Sequence, residues 1–83
     1  MTKTIEISIT QEDIDKGRPI HVRLCPIALA AQRALDNPRV TVGVDDMGYW
    51  LARYHLPLEA QQFIIAFDMG RKVQPFKFYA TKA

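Results

Sequence analysis

In "KTIEISI", Ile5, Ile7 and Ile9 alternate with Thr4, Glu6 and Ser8, the period of two expected of a strand with one buried face. "TQEDIDKG" breaks that alternation. Thr10 can cap a short helical turn, Asp13 stands three residues on for a reciprocal cap, and Gly17 can close the turn. "GRPIHVRL" is expected to be an extended connector, because Pro19 disfavours helix at Arg18. The period then becomes helical. Pro26 opens the helix at the one position where its missing N–H costs nothing. Ile27, Ala30, Ala31, Ala34 and Leu35 form the apolar stripe, Gln32, Arg33 and Asp36 face outward, and "DNP" ends the helix at Pro38.

The second half repeats these signals. "RVTVGV" alternates with Val40, Val42 and Val44 inward, "DDMG" is a turn, and "YWLARYHL" is the next strand. In that strand Tyr49, Leu51, Arg53 and His55 share the exposed face, and Trp50, Ala52, Tyr54 and Leu56 share the core face. Pro57 opens a second helix, with Ala60, Phe63, Ile64 and Phe67 buried and Gly70 at its end. "VQPFKFYA" is the last strand, and Pro75 within it implies an edge position or a bulge. The predicted class is α+β: a four-stranded, mostly antiparallel sheet with two helices on one face, in the element order of the ferredoxin-like split βαβ fold. A meander with the first and last strands paired at an edge is the competing arrangement.

Composition limits the size of the core. The chain has 83 residues, 48% of them hydrophobic, enough for one small domain over residues 1–83 and not for two. Its single cysteine excludes an internal disulfide and a cysteine cluster for zinc. A small core without such staples is expected to be reinforced by self-association, as a two-fold homodimer. "MTKTIEISIT" lacks the continuous apolar core of a signal peptide, and "PIALAA" is too short to span a bilayer. The expected location is the cytoplasm, where a lone thiol stays reduced, with no membrane partner.

The net charge of +2 does not by itself imply nucleic acid, but it is unevenly distributed. Residues 1–15 carry −3, residues 16–39 carry +4, residues 40–70 carry −3 and residues 71–83 carry +4. Such blocks keep small domains soluble. They also allow two basic segments to converge on one anionic partner.

The densest candidate chemistry is "HVRLCPIALAAQRAL". A thiolate at a helix start beside arginines is stabilised by the helix dipole, yet Cys25 has no glycine-rich loop nearby. It also lacks the Cys-x5-Arg spacing of cysteine phosphatases, since position 31 is alanine. Nucleophilic catalysis further needs a held base. A buried, structural Cys25 is the expectation, with no catalytic residue and no cofactor. His21, Cys25 and His55 lack the tight paired spacing of a zinc site, so no metal is expected. The alternative is an anion site: the unpaired N–H groups at the start of the Pro26 helix, joined by Arg18, His21 and Arg23 from the connector, would suit a phosphate or carboxylate. A second candidate surface is the aromatic "GYWLARYH", with Tyr49, Arg53 and His55 as its exposed stripe.

The pattern "ITQEDIDKG…CPIALAAQRA", an aromatic hairpin, then "LPLEAQQFIIAFDMGRKVQPFKF" resembles a family of short bacteriophage and prophage proteins with no assigned activity. The likeness covers most of the chain, and "CPIALA" and "FDMGRKVQPFKF" are its most specific pieces. It transfers no catalytic or ligand residue. It implies a setting, in which small phage accessory proteins antagonise host defence in the host cytoplasm. They do so, as anti-CRISPR proteins do, by blocking a defence protein or by sequestering a signalling nucleotide. The expected function is therefore a non-enzymatic binding protein, whose partner is a host defence protein or a small anionic nucleotide. The alternative is a small RNA- or DNA-binding module, because exposed sheet aromatics stack bases.

Overall fold

The computed structural model describes residues 3–43, 45–50 and 52–83. Among these, β1 (Thr4–Ile9), α1 (Gln11–Lys16), α2 (Pro26–Leu35), β2 (Thr41–Val42), β3 (Asp46–Tyr49), β4 (Ala52–His55), α3 (Leu58–Asp68) and β5 (Phe76–Lys82) follow one another along the chain. The strands form a five-stranded sheet in the order β1-β5-β4-β3-β2, with antiparallel neighbours throughout. The class is α+β, as expected, but the sheet has five strands rather than four. The split βαβ arrangement needs the first strand between two others. Here β1 is an edge strand paired only with β5, so the first and last strands close the sheet at one side.

The fifth strand comes from a misplaced turn. "DDMG" is not the reversal. The Gly43 N–H donates to the Asp46 carbonyl at 2.7 Å, closing the first hairpin two residues earlier, and Asp46–Tyr49 is strand. "YWLARYHL" is therefore not one strand: the chain reverses between the paired residues Tyr49 and Ala52. Gly48 makes this approach possible. Its φ is +140°, and a Cβ there would lie 2.1 Å from the Ala52 carbonyl oxygen, so an L side chain fits neither the conformation nor the space. The inward placement of Val44 and the face given to Leu51 fall outside the described residues.

Helices α2 and α3 lie against one side of the sheet, and α1 packs on α2. Ile5, Ile7 and Ile9 pair with Ala80, Phe78 and Phe76, and these side chains share the inner face with Met47, Val42 and Tyr54. Phe63 of α3 packs on Phe76 with ring centroids 5.1 Å apart, and Ile27, Ala28, Ala30 and Ala31 of α2 complete the core. Ala34, expected in that stripe, is exposed, and Ala28 takes the buried place. Pro75 lies just outside β5 rather than within it. That suits a strand between two neighbours, whose N–H groups are in demand. Among the described residues no helix is long and apolar enough to cross a membrane.

The small α1 is tied down by polar groups. Thr10 accepts from the Asp13 N–H at 3.2 Å while Asp13 accepts from the Thr10 N–H at 2.9 Å, the reciprocal cap foreseen in the sequence. Asp13, only 4% exposed, also receives both arms of Arg33 at 3.0 and 2.9 Å. Burial works against its charge, but the Arg33 guanidinium and the Thr10 N–H outweigh burial and hold its carboxyl below the usual range. Arg33 donates as well to the Ser8 carbonyl at 3.0 Å, so one guanidinium joins α2, α1 and the end of β1.

Candidate functional site

The connector before α2 is not extended. Pro19 restricts Arg18, but the chain then folds around His21. The His21 Nδ1 accepts from the N–H groups of Arg23 and Leu24 at 3.3 and 3.2 Å, and its carbonyl accepts from the Cys25 N–H at 3.0 Å. Two donors on Nδ1 place the ring proton on Nε2. Gln32, expected to face solvent, instead latches this loop by donating to the carbonyls of Arg23 and Val40 at 2.8 and 3.1 Å. The Val42 N–H donates to the Val22 carbonyl, so the connector covers the outer edge of β2. Ile20 pays for the tight path with a φ of +54°, a strained value for a β-branched residue, and its side chain is 81% exposed.

Cys25 is the N-cap of α2. Its Sγ accepts from the Ala28 N–H at 3.4 Å, and the residue is 6% exposed. Burial pushes the thiol up from its ordinary value. The N–H groups of Ala28 and Ile27 oppose that shift, and the nearby Asp68 carboxylate adds to it. A buried thiol that caps its own helix acts as a packing group in this fold.

The end of α2 that the sequence offers to an anion is closed. Pro26, Ile27 and Ala28 are buried, and the thiol already occupies one of the first N–H groups. The neighbouring charge is negative: the Asp68 carboxylate, at the end of α3, accepts from the Ile20 N–H at 2.8 Å. Arg18, His21 and Arg23 are exposed on the same loop, and neither guanidinium has a hydrogen-bond partner among the described residues. The structure thus brings these three residues near one another but not onto free helix N–H groups. Beside them lies an apolar pocket of about 190 Å³ between the connector, α2, β2 and α3, with His21, Cys25, Val42, Ile64 and Asp68 in its wall. Among the described residues no group of three His, Cys, Asp or Glu side chains is arranged to hold a metal ion.

The aromatic hairpin divides differently from its expected faces. Tyr49 turns to the inner side with Met47 and packs on the core, because the reversal restarts the alternation. Tyr54 also packs on the core, as expected. Trp50, expected inside, sits at the hairpin reversal and is 82% exposed. Arg53 and His55 do share the outer face. Among the described residues no helix covers that face. Register sets Thr4, Thr81, His55 and Asp46 in one row across it, with Glu6 beside Tyr79 and Ser8 beside Lys77. Arg53 pairs with Asp46 at 2.9 Å, and the exposed Tyr79 hydroxyl donates to Glu6 at 3.2 Å. The outer face is thus a balanced polar surface, with a cation and an aromatic ring held in place by two carboxylates.

Neither family models, curated proteins nor solved structures give any match to this chain. The surfaces themselves carry the functional reading.

Proposed function

We propose that the chain is a non-enzymatic binding protein that blocks a partner protein through the uncovered face of its sheet and the hairpin beside it. The observation that carries this reading is Trp50, almost wholly exposed at a hairpin held by Gly48. A large, exposed amphipathic ring is the residue type that anchors protein interfaces. Arg53, His55 and Tyr79 supply the polar contacts around it.

Two features favour blockade of a protein over sequestration of a nucleotide. The pocket of about 190 Å³ falls short of the roughly 300–1,000 Å³ of common ligand sites. The Asp68 carboxylate in its wall would also repel a phosphate. The outer face is likewise a poor nucleic-acid surface, because Asp46 and Glu6 offset Arg53 and Lys77. The resemblance to phage accessory proteins suggests that the blocked partner belongs to a host defence system, met in the host cytoplasm. The test is affinity capture from host lysate with the native chain, Trp50→Ala and Arg53→Ala. A protein held by the native chain and lost with both variants supports the reading. Retention by both variants overturns it. RNA held with a steep loss on adding salt would replace it with the nucleic-acid module.

A further inference from the structure

Helix α3 is apolar on two sides. Ala60, Phe63, Ile64 and Phe67 turn to the core, while Leu58, Ile65 and Met69 each expose more than half of their surface. Leu58, Gln62, Ile65 and Met69 follow one another at helical spacings of four, three and four residues. They form a single stripe on the side of α3 that faces away from the sheet. Ile20, also strongly exposed, stands near the C-terminal end of α3, where its N–H is held by Asp68. The apolar area is on the order of 400 Å² per protomer, half of the roughly 800 Å² that each partner contributes to a standard interface.

We propose that this stripe is the interface for a second copy of the chain, with two α3 helices packed antiparallel about a two-fold axis. Charge selects both the occupant and the direction. Glu59 lies exposed in the first turn of α3, and Arg71 and Lys72 lie exposed just past its end. In an antiparallel pair each Glu59 meets Arg71 and Lys72 of the partner subunit, whereas a parallel pair would set like charges together. The stripe is self-complementary in the same sense: Leu58 meets Met69 of the partner subunit, and Gln62 meets Ile65 of the partner subunit. The helix dipoles oppose one another in this arrangement. The two outer sheet faces, carrying Trp50 and Arg53, then point away from the dimer axis and stay open. The dimer is thus independent of the binding reading above.

Sedimentation velocity of the full chain across micromolar concentrations tests the pairing. The native chain should approach twice its 9.5 kDa mass. Met69→Lys and Leu58→Glu, both on the exposed stripe, should each weaken association by at least about tenfold while leaving the far-ultraviolet circular dichroism unchanged. Charge reversal supplies the second arm. Glu59→Lys alone and Arg71→Glu with Lys72→Glu alone should each weaken the dimer, and the combined variant should recover it. A monomer at every concentration overturns the proposal. So does a dimer indifferent to Met69→Lys, or a combined charge variant no better than its parts.

Discussion

Replacing Asp13 by alanine should cost about 2 kcal/mol at neutral pH, and the cost should disappear in acid. Two interactions are lost together. The reciprocal cap of α1 loses the carboxylate that accepts the Thr10 N–H at 2.9 Å, worth about 1 kcal/mol. The two-armed contact with Arg33, at 3.0 and 2.9 Å, is lost as well. A charged hydrogen bond can contribute roughly 1.5–3 kcal/mol, but half of the Arg33 side chain is in water, so about 1 kcal/mol is the appropriate share. In a domain of this size such a loss should lower the melting temperature by roughly 10 °C. The carboxyl is held below its ordinary value in the fold. Its contribution is therefore complete above the unfolded value near pH 4, and fades as pH falls through the folded one. Urea unfolding followed by far-ultraviolet circular dichroism, at pH 7 and at the lowest pH at which the fold persists, follows the loss. A deficit under about 0.5 kcal/mol at pH 7, or an equal deficit at both pH values, would refute the assignment of this clamp.

Other expectations follow from the same geometry. Gly48→Ala should destabilise by at least about 3 kcal/mol, because it forces a side chain into a positive φ and against the Ala52 carbonyl; a melting curve like that of the native chain would contradict this. The Cys25 thiol should react with an aromatic disulfide reagent at least about tenfold more slowly in the folded chain than in urea, since burial keeps it protonated; equal rates would show an accessible thiol. Inorganic phosphate should stabilise no more than chloride of equal ionic strength, because the α2 N-terminus is buried beside Asp68; saturable stabilisation lost in Arg18→Ala or Arg23→Ala would show that the connector does assemble an anion site.

Most of the elements were legible because their signals were local. The isoleucine alternation of β1, the Thr10 cap, the proline at the start of α2 and Gly70 after α3 each acted within a few residues. What escaped depended on strand register or on partners distant in sequence. Gly48 looked like a turn residue, but its role is to let β3 pass close to the Ala52 backbone. Placing the turn there merged two short strands, which carried Trp50 inward and Tyr49 outward. At the candidate site, the neighbour that closes the α2 end is Asp68, which reaches Ile20 across 48 positions. No spacing rule finds such a contact. The arginine beside the thiol was visible in the sequence, whereas the acid was not.

The second apolar stripe of α3 was present in the sequence all along, in "LPLEAQQFIIAFDM". The core side of the helix, Ala60, Phe63, Ile64 and Phe67, was read correctly from the helical spacing, and the fold shows that nothing among the described residues covers the other. A helix apolar on two sides gains stability in water when both are covered, and an 83-residue chain has one core to offer. Phe63 and Phe67 take it: Phe63 packs on Phe76 of β5, and Phe67 stacks on Phe63. Leu58, Ile65 and Met69 are left over. A small domain with a single cysteine gains most from burying them against a second copy of itself, because each dimer contact counts twice under a two-fold axis. Trp50 is a different kind of leftover. It stands at the hairpin reversal, beside a polar face whose cation and hydroxyl are already held in place. That surface suits a partner that comes and goes, whereas the stripe suits one that stays.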